Sequence, residues 1–256
     1  MKRCAYLTMD DISGFVSDAE LSFAPMAELG WDVEMVPWQS DADWNAYELV
    51  YICTPWEWHV PMAVGAMQNG KHAAVEVPAA VDLDGCWELV ETSERTAKHC
   101  MMLENCCYDF FELQTLNMVR QGVFGELTHA EGAYIHSLVE YMQPEAGEEI
   151  YQGHWRIKHN LERDGNLYPT HGLGPVAAMA NINRGNRMVS LTSSATKGIG
   201  LHNHIVAKGG EDHPNASLKF MQGDVITTTI GTAQGETIIV THDCNLPRPY
   251  SLGFRV

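Results

Sequence analysis

The chain has 256 residues, of which 45% are hydrophobic and 19% charged, and a formal charge of −17. That length can bury a sizeable core in one large or two small domains, and the composition excludes a disordered polymer. The acidity argues against nucleic acid and anionic membrane as partners, because a phosphate surface needs a basic footprint.

In chain order, residues 4–9 read as a short strand, and Ser17-Asp18-Ala19-Glu20 opens a helix that reaches Leu29-Gly30. Residues 31–37 are strand-like, and residues 49–53 form a compact buried-strand run ending at Thr54-Pro55. Residues 60–68 have a helical pattern that stops at Asn69-Gly70. A strand over 73–77, the clearest helix over 82–98 and a strand over 100–104 complete the first half. Strands alternating with helices of this length predict a mostly parallel sheet with helices on both faces.

Past residue 108 the pattern changes. A helix is predicted over 110–120 and a long strand over 126–136, and residues 138–165 form a polar stretch without clear periodicity. A loop of that length inside a compact domain is usually either functional or misassigned. A helix follows near 173–180. Runs at 217–221, 225–230 and 237–241, separated by Gln222-Gly223 and Gln234-Gly235, predict an antiparallel meander. The expected fold class is α/β: a Rossmann-like parallel sheet domain over 1–107, then an α+β domain with a largely antiparallel sheet over 108–256, cut short at its C-terminus.

Seven cysteines (Cys4, Cys53, Cys86, Cys100, Cys106, Cys107 and Cys244) form no CxxC pair. Their odd number, irregular spacing and apolar neighbours read as buried free thiols in a reducing compartment. No apolar run approaches the ~20 residues that span a bilayer. The opening residues carry no long apolar segment before Asp10-Asp11. A cytoplasmic protein with no membrane partner is expected.

Several segments carry candidate chemistry. Thr54-Pro55-Trp56-Glu57-Trp58-His59 follows a buried strand, at the carboxyl edge where doubly wound sheets bind ligands. Its indoles could stack on a planar ring and His59 could donate to a ligand oxygen; a packing cluster is the plainer alternative. Glu76-Val77-Pro78 and Glu104-Asn105 end the next two strands, and three polar strand ends on one edge suggest a cleft. Tyr168-Pro169-Thr170-His171 sets a phenol and an imidazole three residues apart, with Gly172 and Gly174 read as a tight turn into the next apolar run. Alone, that segment is a turn with a packed Tyr and a surface His, and Tyr134 alone is a core residue. The histidines lack zinc-site spacing, so no metal is expected. A dinucleotide site calls for Gly-x-Gly-x-x-Gly after the first strand. Asp10-Asp11-Ile12-Ser13-Gly14 stands there instead, a poor phosphate cradle.

From about residue 49 to the end, the chain resembles glycoside hydrolase family 109, the NAD-dependent α-N-acetylgalactosaminidases of the Gfo/Idh/MocA oxidoreductase superfamily. The resemblance rests on Thr54 to His59, Gly70-Lys71-His72, Glu76-Val77-Pro78, Met102-Leu103-Glu104-Asn105 and Asn117-Met118-Val119-Arg120-Gln121-Gly122. It continues through Phe124-Gly125-Glu126, Trp155-Arg156, Tyr168 to Gly172, Asn183-Arg184-Gly185 and Arg248-Pro249-Tyr250. It implies NAD as cofactor and a small carbohydrate as substrate. In that family, transient oxidation of the sugar C3 hydroxyl acidifies the C2 proton, the glycosidic oxygen leaves by elimination, water adds and the hydride returns. By the resemblance, Trp56, Glu57, Trp58, His59, Glu76, Val77 and Asn105 line the NAD site. Tyr134, Arg156, Tyr168, His171 and Tyr250 line the sugar site. Tyr134 and His171 transfer protons, while Tyr168 and Arg156 orient hydroxyls. Dehydrogenases of the superfamily carry lysine in a Glu-Lys-Pro motif; Val77 stands there, as in the glycosidases. Residues 1–48 instead resemble the amino-terminal segment of some ATP-grasp proteins. The alternatives are an NAD(P)-dependent sugar oxidoreductase and an inactive sugar-binding remnant, and a homo-oligomer is compatible with any of them.

Overall fold

The computed structural model describes residues 2–8, 25–37, 43–139 and 155–256. The chain divides into two compact units, residues 1–103 and 104–256. Among the described residues no helix is long and apolar enough to cross a membrane.

The first unit is built on five strands: β1 (Lys2–Thr8), β2 (Trp31–Pro37), β3 (Leu49–Ile52), β4 (His72–Val75) and β5 (Cys100–Met102). They lie in the order β2-β1-β3-β4-β5, and every neighbouring pair is parallel. The short run of β4, Ala73-Ala74-Val75, is buried throughout, the pattern of a strand covered on both faces. Helices α1 (His59–Gln68) and α2 (Leu83–Thr96) provide cover. Leu7, Val50 and Ile52 from the sheet pack with Ala63, Val64 and Met67 of α1 and Leu89 of α2. Each such large side chain removed from water contributes roughly 1.5–3 kcal/mol. Asp82 caps α2 by accepting from the Gly85 N–H at 2.7 Å, and the helix ends at Ala97 in the left-handed region, φ 54°. Successive strands run from β1 outward to β2, then resume on the other side at β3. The β1/β3 boundary is therefore the topological switch point of the sheet.

The helix predicted over 17–30 lies largely outside the described residues, with 25–28 helical, and Asp10 to Gly14 lies outside them altogether.

The second unit contains α3 (Phe110–Arg120), β6 (His129–Ile135), α4 (Arg156–Glu162), α5 (Thr170–Met179), β7 (Met188–Ala195), α6 (Gly200–Gly209), β8 (Ile226–Thr232) and β9 (Thr237–Asp243). The sheet order is β6-β9-β8-β7; β7, β8 and β9 pair antiparallel, and β6 joins β9 in parallel. In β8, Ile226, Thr228, Ile230 and Thr232 are buried and the residues between them are not, the period of a sheet with one covered face. Ala130, Val176, Ala180, Ile230, Ile238 and Val240 form the core between that face and α5. The β8–β9 turn passes through Gly235 at φ 102°, at the predicted Gln234-Gly235.

Two expectations are corrected. Residues 217–221 are not a strand: Ala216 and Leu218 donate to the His213 and Asn215 carbonyls, which ties the segment into turns. The Gln222 side chain that follows is fully buried, with its amide donating to the Gly165 carbonyl at 2.7 Å. The first strand of the meander is β7, whose residues are exposed throughout, so it carries no hydrophobic alternation to announce it. Helix α4 occupies the end of the stretch that showed no periodicity, and residues 140–154 of that stretch lie outside the described residues.

Candidate active site

The position of α5 against β6 organises the second unit. A Cβ on Gly172 would lie 2.6 Å from the Ala133 nitrogen, and one on Gly132 would overlap the Gly172 carbonyl. Strand and helix backbones therefore touch where only glycine fits. A Cβ on Gly174 would lie 2.8 Å from Glu104 Cγ and 2.9 Å from Cys107 Sγ, so the turn carrying those residues also seats on α5. This replaces the reading of Gly172 and Gly174 as a turn: both lie inside the helix and serve close approach.

The contact brings together residues distant in sequence. Tyr134 of β6 lies with its ring centroid 4.7 Å from Tyr168 and 5.1 Å from His171, and Tyr168 and His171 are 4.8 Å apart. The Arg156 guanidinium, at the start of α4, sits 5.5 Å over the Tyr168 ring and hydrogen-bonds the Tyr134 phenol. Tyr250 meets His136 edge-on at 5.1 Å, and His136 Nδ1 is 2.9 Å from the Tyr134 hydroxyl. The five residues expected at the sugar site thus form one aromatic and basic cluster, with Tyr250 at its exposed rim.

Sequence reasoning missed Glu104 as a member. Its Oε1 lies 2.7 Å from His171 Nδ1, with both side chains largely buried. A carboxylate only accepts, so Nδ1 carries the proton of this bond, and in the neutral ring Nε2 keeps its lone pair. Burial opposes ionisation of Glu104. The hydrogen bond and charge of His171, the Thr170 hydroxyl and the Cys106 N–H outweigh burial and hold the carboxyl below the ordinary range. Sixty-seven residues separate the pair, and only the chance pairing of Glu104 with Asn105 at a strand end hinted at it.

His136 was also missed. Burial first, then Arg156 and His171, push its pKa down, so the neutral ring can accept from the Tyr134 phenol. Burial pushes the Tyr134 phenol well above its usual value, while Arg156 pulls the other way. The pair can pass a proton between phenol and imidazole. Behind them, His242 and Cys244 are buried, with Nε2 and Sγ 3.4 Å apart.

At the carboxyl edge of the parallel sheet, the segment after β3 begins the 3-10 turn Trp56–Trp58. Trp56 is buried, and Glu57 and Trp58 are half-buried. His59 is 1% exposed, with its ring nitrogens 2.8 and 2.7 Å from the Pro78 and Thr54 carbonyls. Its ring clamps two strand-end loops, and no ring nitrogen is left to donate outward. Glu76 accepts from the Tyr51 hydroxyl at 2.9 Å, and Tyr51 stacks on Tyr6 at 4.8 Å. Val77 is buried ahead of a cis bond to Pro78. Asn105, in the second unit, is exposed. Polar groups that crowd the ends of β3 and β4 beside a switch point fit a dinucleotide cleft in a doubly wound sheet.

Residues 108–256 match the family model described as glycosyl hydrolase 109, C-terminal domain. Residues 4–62 match that of D-cycloserine synthetase DcsG, N-terminal domain. An α-N-acetylgalactosaminidase of Tannerella forsythia is 49% identical over 225 residues, covering 82% of this chain and 48% of the relative. One of Bacteroides fragilis is 48% identical over 214 residues, covering 84% of this chain and 50% of the relative. The chain thus spans about half the length of the curated relatives it matches. Among solved structures, an NAD-binding oxidoreductase of Klebsiella pneumoniae aligns with TM-score 0.67 and 17% identity, over 97% of this chain and 68% of that one. An inositol dehydrogenase homologue of Azotobacter vinelandii, complexed with NAD+, aligns with TM-score 0.66 and 15% identity, over 99% and 67%. At that identity the likeness is one of fold, a parallel α/β sheet followed by a mostly antiparallel one. With a family model spanning more than half its length, the chain belongs to glycoside hydrolase family 109.

Proposed function

We propose that this chain carries the catalytic machinery of a glycosidase that releases terminal α-linked N-acetylgalactosamine with NAD as cofactor. The observation that carries the reading is the cluster of Tyr134, Tyr168, His171 and Glu104 in a chain 48–49% identical to two α-N-acetylgalactosaminidases. Bound NAD would supply reversible hydride removal at the sugar C3 hydroxyl, which makes the C2 proton acidic. Trp56, Glu57, Trp58, Glu76 and Val77 would hold it at the carboxyl edge of the parallel sheet, with His59 bracing the loops from behind and Asn105 as a further contact.

The remaining work is proton transfer and orientation. His171 Nε2, its tautomer set by Glu104, takes up a proton from the sugar. Tyr134, backed by His136, delivers one to the departing oxygen, and the Arg156 charge eases loss of the phenol proton. Arg156 and Tyr168 orient hydroxyls, and Tyr250 closes the rim. Two carboxylates at glycosidase spacing are not required by this chemistry.

The test is cleavage of the p-nitrophenyl α-glycoside of N-acetylgalactosamine in D2O with NAD+ present. Release of p-nitrophenol, with deuterium at C2 of the freed sugar and no net NADH, is expected. NADH accumulation without cleavage would mean a sugar oxidoreductase, and cleavage without C2 exchange would sink the elimination route. His171→Ala should lower the rate by about 10²-fold or more, the usual worth of a positioned acid–base group. Glu104→Gln should lower kcat at nearly constant KM.

A further inference from the structure

Glu104, Cys106 and His171 place a carboxylate oxygen, a thiol sulfur and an imidazole nitrogen all within 4.8 Å of one another. Two elements carry them: Glu104 and Cys106 sit on either side of Asn105 at the start of a 3-10 turn, and His171 stands in the first turn of α5. Glu104 and Cys106 are buried, and Glu104 Oε2 makes no hydrogen bond of normal geometry among the described residues, feeling only the weaker pull of the Thr170 hydroxyl and the Cys106 side chain. Oε1 is already engaged by His171 and by the Cys106 N–H at 3.0 Å. One acceptor on this carboxylate is therefore poorly satisfied in an enclosed place, where an incompletely made interaction is costly.

We propose that these three side chains form a binding site for a zinc-class divalent ion. Mixed S, N and O donors suit zinc and its neighbours, whereas magnesium and calcium want oxygen alone. Three protein ligands leave a fourth position for water. Tetrahedral bonds of about 2.0–2.3 Å put ligand atoms roughly 3.3–3.8 Å apart, so the site closes on an ion with side-chain shifts of about 1 Å. Binding balances simply. Glu104 already carries its negative charge, Cys106 gives its thiol proton to solvent and the sulfur lone pair goes to the metal. The His171 proton moves from Nδ1 to Nε2 as Nδ1 takes the ion.

That last transfer has a consequence for the site, which rests on the proposed glycosidase function. With Nε2 protonated, His171 has no lone pair to accept from the sugar, so the ion inhibits without filling the sugar pocket. The spacings along the sequence concealed this set, because His171 is far from the Glu104–Cys106 pair.

The experiment uses cobalt(II) alone as a spectroscopic stand-in, titrated into the metal-free chain. A thiolate-to-cobalt charge-transfer band that saturates at one ion per chain is expected, together with its displacement by zinc. Cys106→Ser should abolish the band, and Cys107→Ser and Cys244→Ser should keep it. Absence of the band at millimolar cobalt, or its survival in Cys106→Ser, would overturn the site. In the glycosidase assay zinc should inhibit the unaltered chain, and Cys106→Ser, compared with its own metal-free rate, should resist at least tenfold more zinc. Equal zinc sensitivity of the two would overturn the inhibitory role. An inactive chain would overturn the glycosidase function, and the site would still be decided by the cobalt spectrum.

Discussion

Burial and neighbours divide the histidines of this protein among different tasks. His171 has a carboxylate on one nitrogen and is the proposed proton acceptor; His59 has a carbonyl near each nitrogen and serves architecture. His242 is the extreme case, buried so that its pKa is pushed down from 6.5 to about 4, chiefly by desolvation and then by Arg156. The folded protein holds this ring neutral, while the unfolded chain protonates it below about 6.5. Between those two values the unfolded state binds more protons, so stability falls as pH drops from about 6.5 to 4 and the slope vanishes below. Over that window the loss is on the order of 3 kcal/mol. His242→Gln should flatten this part of the curve of thermal midpoint against pH, whatever it does to stability at neutral pH. Parallel curves for the two proteins would refute the buried-neutral assignment.

At the scale of elements, the union of β6 and α5 decides whether a site exists. Gly132 and Gly172 face each other backbone to backbone, so a methyl group at either one meets atoms that cannot rotate away. Tyr134 lies two residues beyond one glycine and His171 just before the other. Gly132→Ala should cost about 1–3 kcal/mol or more by overpacking. It should also lower cleavage far beyond the fraction unfolded, because the phenol and imidazole are pushed apart. Gly65→Ala in α1, where a Cβ would meet nothing within 4 Å, should be neutral or stabilise by about 0.4–1 kcal/mol. Retained activity in a folded Gly132→Ala protein would show that the close contact does not position the site. The parallel sheet was legible because strands covered on both faces are short apolar runs, and α2 because Asp82 caps it. Strand β7 was not legible, since an edge strand exposed on all its residues carries no alternation. The residues proposed to face the sugar were named by family resemblance, whereas Glu104 and His136 emerged as their neighbours only from tertiary contact.

Across the whole molecule, charge and topology make opposite demands on a dinucleotide. The switch point between β1 and β3 is where a doubly wound sheet receives one. Yet the formal charge is −17, and the sequence after β1 runs Met9-Asp10-Asp11 and holds one glycine before residue 15. A pyrophosphate approaching a chain of this net charge is opposed by like charge, and the sequence after β1 supplies no basic or glycine-rich run to offset it. Salt screens that repulsion over a length of about 30 Å at 0.01 M and about 8 Å at 0.15 M. NAD+ binding should therefore tighten as salt is raised across this range, the reverse of a site that gains its affinity from lysine or arginine. Fluorescence of Trp56 and Trp58 offers the readout, and bound NAD+ at a hundred times its Kd should add about 2.7 kcal/mol to stability. Binding that weakens with salt would point to cationic contacts instead. No response in fluorescence or in thermal midpoint at any salt concentration would remove NAD from the proposed function, and with it the elimination route that depends on acidifying C2.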